Sequence, residues 1–198
     1  MSLNQAFSQF SEHLEKRLQL HRLLKEDEVR YEFFMALIRS EVCPQIDIAL
    51  EVPHPKLRVK EIDTLIHPSD QRQQRYVFEF KFDKLPPNGQ QNKTNRAGSV
   101  FNDLNRLALA QQVIPCEAYF IYLTDPSMAV YFKNKRNGLA AFYAPTDRFT
   151  VDDAFWQNRQ SSFSTHVKSP GIDFSTSIVF QRALCGDFEL SIFQVHRA

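Results

Sequence analysis

One nine-residue segment constrains the fold of this chain more than any other. From Arg75 to Asp83 the residues read RYVFEFKFD, with Phe78, Phe80 and Phe82 alternating against Val77, Glu79 and Lys81. Side chains along a strand point to opposite faces with period two, so the phenyl rings share one face. A carboxylate and an ammonium then emerge together on the other. The segment calls for a sheet with one apolar face and one face that carries charge.

The flanking pattern alternates helix and strand. Phe7, Phe10, Leu14 and Leu18 recur at helical spacing over residues 5–24, and Val29, Phe33, Ala36 and Leu37 form the stripe of a second helix from Glu26 to Arg39. Acids at the start of that helix suit the positive end of its dipole. Strands are expected from Ile46 to Val52, closed by Pro53-His54-Pro55, and from Arg58 to His67, closed by Pro68-Ser69-Asp70. Lys84 to Ala97, rich in Pro, Asn, Gln and Gly, reads as a loop. Ser99 then caps a helix over residues 99–112, with Phe101, Leu104, Leu107 and Ala108 buried. Glu117 to Thr124 reads as a strand. Beyond it the pattern predicts a hairpin of Ala129–Lys133 and Leu139–Tyr143 about Asn137-Gly138. A short helix over Val151–Gln160 follows, capped by Thr150 with Asp153 completing a capping box. Ser175–Leu184 and Phe188–His196 form a terminal hairpin about Cys185-Gly186. The expected fold class is therefore α/β with a mixed sheet, in one domain over residues 1–198. An αβββαβ core spans residues 26–124, and a mostly β extension over residues 125–198 packs on it.

Composition excludes several alternatives. The 198 residues are 43% hydrophobic, with eighteen Phe against one Trp, enough for a substantial core. The net charge is +1, so no global basic field marks a nucleic-acid partner. Charge is uneven, however: from Lys56 to Arg106 there are ten Lys or Arg and six Asp or Glu, a local excess of four. Cys43, Cys116 and Cys185 are widely separated and include no CxxC pair, which suits reduced thiols in a cytoplasmic protein. No apolar run suggests secretion or a membrane span. The six histidines form no metal-ligand pattern, and GxSxG, GxGxxG and P-loop motifs do not occur.

The charged face of the Arg75–Asp83 strand gains meaning from its neighbour. Asp63 lies sixteen residues before Glu79, on the preceding strand, and a hairpin between the two would set the acids side by side. An E-x-K pair on a half-exposed strand is commonly a surface ion pair, and Asp63 alone could cap Thr64 or pair with Lys60. Taken together, Lys60-Glu61-Ile62-Asp63 and Val77-Phe78-Glu79-Phe80-Lys81 resemble the PD-(D/E)XK phosphodiesterase superfamily, which includes restriction endonucleases and Holliday-junction resolvases. Ile62 stands where many members carry proline.

The resemblance implies a restriction-endonuclease-like core and Mg²⁺-dependent hydrolysis of DNA, with Mn²⁺ as a substitute. It makes Asp63, Glu79 and Lys81 catalytic and adds an acid from the first core helix, Glu26, with Glu28 and Glu32 as rivals. Mg²⁺ takes hard oxygen ligands, which Asp63, Glu79 and the Phe80 carbonyl supply. Lys81 orients the attacking water or offsets developing charge. Lys60, Lys84, Lys93, Arg96 and Arg106 are expected to face a nucleic-acid backbone. Asp103 and Arg106, at i and i+3, read most simply as a helix ion pair. DNA is the expected partner and a homodimer an expected assembly. The alternative is a nucleic-acid- or protein-binding module that keeps the fold without catalysis. Alanine at clustered acids should cost little stability, since it removes like-charge repulsion.

Overall fold

A computed structural model describes residues 3–20, 25–40, 46–58, 60–68, 75–84, 92–144, 148–159, 161–165, 167 and 171–197. Helices α1 (Leu3–Gln19) and α2 (Glu26–Arg39) come first, followed by strands β1 (Ile46–Pro53), β2 (Glu61–Pro68) and β3 (Arg75–Asp83). Helix α3 (Lys93–Gln111) leads to β4 (Cys116–Thr124) and helix α4 (Pro126–Lys133). After β5 (Phe149–Val151) come the short helices α5 (Asp153–Gln157) and α6 (Ser161–Ser164), then β6 (Phe174–Ala183) and β7 (Glu189–Arg197).

The seven strands form one mixed sheet in the order β1-β2-β3-β4-β7-β6-β5. β3 and β4 are parallel, joined through α3, and every other pair is antiparallel. Two apolar clusters coat its faces. On one, Phe7 and Phe10 of α1 and Phe33 of α2 pack on Phe78, Phe80, Tyr119 and Ile121. On the other, Phe101, Leu104 and Leu107 of α3 pack with Val77, Phe120, Tyr122 and Phe193. The alternation read from β3 is thus realised: Phe78 and Phe80 are buried beneath α1 and α2, and Glu79 and Lys81 turn toward α3. Fully burying an aromatic side chain stabilises by roughly 1.5–3 kcal/mol, and this sheet uses many phenylalanines that way.

Several expectations are corrected. The segment predicted as loop to Ala97 is helical from Lys93, and Asn92, not Ser99, caps α3 by accepting the Asn95 N–H. Gly98 lies inside that helix, where a Cβ would stand 2.3 Å from the Phe163 carbonyl oxygen. A glycine there allows close packing of α3 on α6. The hairpin about Asn137-Gly138 does not form. Asp125 caps α4 by accepting the Met128 N–H and Pro126 opens it, so Ala129–Lys133 is helical. Asn137 and Gly138 do turn the chain, with Gly138 at φ 64. Thr150 lies in β5, and Asp152 caps α5 instead, over a shorter span than expected. The terminal hairpin is present, with a register shift between Ile178 and Phe180. Among its described residues the C-terminal segment carries three α-helices and two short 3-10 helices besides its strands, and β7 pairs directly with β4, so it continues the sheet. Residues 21–24 and 85–91, Cys43 and Gln160 lie outside the described residues.

Candidate active site

β2 and β3 separate where the acids sit. Their register runs Ile66↔Tyr76, Leu65↔Val77 and Thr64↔Phe78. Past that point the β3 N–H groups on the β2 side find side chains instead of that strand, while β4 stays paired on the other edge. The Phe80 N–H donates to Asp63 Oδ2 at 2.8 Å, and the Phe82 N–H donates to Glu26 Oε2 at 3.0 Å. Two carboxylates thus occupy a gap that a continued ladder would have closed. A strand residue's N–H and C=O point the same way, so the Phe80 carbonyl also faces this gap.

The three helix acids are separated by their partners. Glu26 reaches β3. Glu28 accepts the Lys25 N–H at 2.8 Å and closes the capping box of its own helix. Glu32 pairs with Arg17 and, at 3.3 Å, with His13, tying α2 to α1.

The charged face of β3 meets a complementary face of α3. Glu79 Oε1 lies 2.6 Å from Arg106 Nη2, and Lys81 Nζ lies 3.5 Å from Asp103 Oδ2. Asp83 pairs with Arg96 and accepts from the Tyr122 hydroxyl at 2.7 Å. Signs run minus, plus, minus along the strand and plus, minus, plus along the helix in the opposite direction. Arg106 Nη1 also donates to Asp103 at 3.0 Å, and Nη2 donates to the Glu61 carbonyl. The sequence-level reading of Asp103 and Arg106 as a helix pair is correct but incomplete, because their main partners lie on β3. His54 secures this corner: its Nδ1 accepts the Lys56 and Leu57 N–H groups at 3.1 Å, which leaves Nε2 to donate to the Arg106 carbonyl at 3.0 Å. Burial lowers its pKa, so the neutral ring persists at neutral pH.

Burial and crowding set the protonation of the cluster. Burial first, and then the Asp63 charge, raise Glu79 well above its ordinary 4.5, against the pull of Arg106. Burial likewise raises Glu26 and Asp103. Burial alone would lower Lys81, but Asp103, Glu26 and Asp83 outweigh it and raise the ammonium, which stays charged at neutral pH. Arg106 is raised in the same way by Glu79 and Asp103.

A groove of about 540 Å³ lined by Pro53, Lys60, Glu61, Asp63 and Arg106 opens onto the cluster. Of the residues expected to face a nucleic acid, Lys60 and Lys84 are exposed and Lys93, the first residue of α3, is half-buried. Arg96 and Arg106 depart from that expectation, since both guanidiniums face protein carboxylates. Arg30, which the sequence reading passed over, stands beside Asp63, with Nη2 3.5 Å from Oδ1. Its place one turn after Glu26 on the same helix was the available signal.

Asp63 and Glu79, adjacent enough to perturb one another, together with the Phe80 carbonyl, offer the hard oxygens that Mg²⁺ takes, and a divalent cation would offset the repulsion within the pair. Among the described residues, no group of three or more His, Cys, Asp or Glu side chains is placed to hold a metal. A cation here would therefore use two carboxylates, with water or substrate completing its shell. No helix among them is long and apolar enough to cross a membrane. No protein-family model, curated protein or solved structure matches the chain.

Proposed function

We propose that the protein is a Mg²⁺-dependent nuclease with a restriction-endonuclease-like core, acting on DNA at the gap between β2 and β3. One observation carries this reading: Asp63 and Glu26 each take a β3 N–H at a place where the sheet opens, beside buried Glu79. A purely structural set of acids would not need the ladder to break. The αβββαβ element order and the exposed Lys60 at the groove agree with it.

In this reading Asp63, Glu79 and the Phe80 carbonyl hold the cation. Bound Mg²⁺ lowers the pKa of a water and offsets charge at phosphorus. Lys81, whose pKa Asp103, Glu26 and Asp83 raise, orients the nucleophile or stabilises negative charge rather than accepting a proton. Phe80 and Phe82 hold Asp63 and Glu26 through their backbone N–H groups, so the acids are aimed before substrate arrives.

A second reading, a binding module without catalysis, draws on one fact. Arg106 already neutralises Glu79 at 2.6 Å, in the place of an incoming cation. Plasmid nicking with Mg²⁺ or Mn²⁺ separates the two. Cleavage that is lost in D63N, E79Q and K81M supports the nuclease. DNA binding without cleavage under any divalent cation supports the module, and neither binding nor cleavage removes both.

A further inference from the structure

We propose that Arg30 is a substrate-phosphate contact of this site, a guanidinium that exchanges protein carboxylates for one phosphate of a nucleic-acid strand. This inference rests on the nuclease reading above.

Arg30 follows Glu26 by one turn of α2, which puts both on the side of the helix that meets β3. It is 9% exposed. Its Nη2 stands 3.5 Å from Asp63 Oδ1 and 4.0 Å from Asp27 Oδ1, and its Nη1 stands 3.8 Å from Glu51 Oε1. The guanidinium carbon lies 5.8 Å from the centre of the Phe80 ring. Charge is thus balanced around it, yet among the described residues it makes no hydrogen bond, and its buried Nε has no partner.

Arg106, on the other side of the cluster, shows the contrast. Its Nε is likewise buried without a partner, but its Nη atoms donate to Glu79, to Asp103 and to the Glu61 carbonyl, whereas those of Arg30 donate to nothing among the described residues. A guanidinium has five N–H donors, and burying them unused is costly. Arg30 is held in position by diffuse attraction and ring contact, with its Nη groups facing carboxylates at 3.5–4.0 Å rather than hydrogen-bonded to them. A planar fork of that kind matches two phosphate oxygens, which a lysine could not do.

Its partners can be exchanged. The Asp27 and Glu51 side chains are 71% and 67% exposed, so both can turn to water as an anion enters. Asp63 is the residue that a cation would claim, which withdraws the third. Glu51 sits at φ 52, where L-residues are rare, at the step of β1 that lies opposite Asp63. The backbone therefore holds this carboxylate beside Arg30 at some strain, as an occupant that substrate replaces.

The test is fluorescence anisotropy with a fluorescein-labelled DNA duplex and its single strand, in Ca²⁺ to prevent turnover, over a salt series. R30A and R30Q should weaken duplex binding about 10- to 100-fold, as loss of charged hydrogen bonds to one phosphate does. The log–log salt slope should shrink by about 0.9, the share of one phosphate. E51Q should tighten binding in wild type and not in the R30Q background. A folded R30Q with wild-type affinity and slope overturns the proposal, and so does an equal E51Q gain in both backgrounds. Should R30A fail to fold, R30Q decides by the same readouts. An R30Q that cannot fold assigns Arg30 to the scaffold and also overturns it. A wild-type protein that binds neither probe removes the nuclease reading itself.

Discussion

Asp63 Oδ2 accepts the Phe80 N–H at 2.8 Å, so a residue expected to hold a cation also completes a strand. This double duty changes what substitution should do. Asp63→Ala leaves a part-buried N–H without its acceptor, which costs about 1–3 kcal/mol, contrary to the near-neutral effect expected from charge crowding alone. Asp63→Asn keeps an oxygen there and should fold almost as wild type while losing cation affinity. Urea denaturation and calorimetric Mn²⁺ titration of both variants check this. Equal stability in the two would mean that the hydrogen bond contributes nothing.

Glu79 makes metal-free stability fall as pH rises. Its folded pKa lies well above the unfolded 4.5, so between those values the folded state keeps a proton that the unfolded state has released. The penalty is absent below 4.5 and complete above the raised value. Its slope is at most about 1.4 kcal/mol per pH unit. Glu79→Gln should flatten that part of the profile, leaving the weaker contributions of Glu26 and Asp103, which have the same sign. Melting curves from acid to neutral pH in chelator provide the measurement. Parallel profiles would refute the assignment.

Asp103 is the largest of the influences that raise the Lys81 ammonium against its burial. Asp103→Asn removes the largest influence that raises the ammonium and leaves burial to lower it, so the Lys81 pKa should drop. Direct titration of the ε-carbon by NMR reads this without any activity. If cleavage is observed, the alkaline limb of its pH profile should move to lower pH in the same variant. An unchanged Lys81 titration would mean that the 3.5 Å pair with Asp103 does not control it.

Arg106 is the counter-charge for two buried acids. Arg106→Ala should cost about 3–5 kcal/mol, the usual result of stranding a buried ion-pair partner. Mg²⁺ should restore more melting temperature in this variant than in wild type, because the vacated position beside Glu79 suits a cation. No differential rescue would argue that Arg106 and a cation do not compete there.

Gly98 tests the α3–α6 contact. A methyl group 2.3 Å from the Phe163 carbonyl oxygen cannot be accommodated without moving a helix. Gly98→Ala should destabilise by at least the ~1–3 kcal/mol of an overpacked core, despite alanine's better helix propensity. A stabilised variant would place α6 elsewhere.

The local order of residues was enough to set the two faces of β3, the two apolar helix stripes before it and the terminal hairpin. Each rests on periodicity, and periodicity is a property of neighbours along the chain. It also placed Asp63, Glu79 and Lys81 on strands whose pairing brings the acids together. A local helix start also overrode propensity: Val130, Tyr131 and Phe132 look like a strand but follow Asp125-Pro126, and the cap outweighed their β preference. Tertiary structure alone decided two other matters. Gly98 packs against the Phe163 carbonyl of α6, a contact that no local signal carries. Arg96, Asp103, Arg106 and Arg30 acquired their roles only when α3 and α2 settled against opposite sides of β3. Charge complementarity between a strand and a helix depends on distances of a few ångströms between segments far apart in sequence, and folding alone supplies those distances.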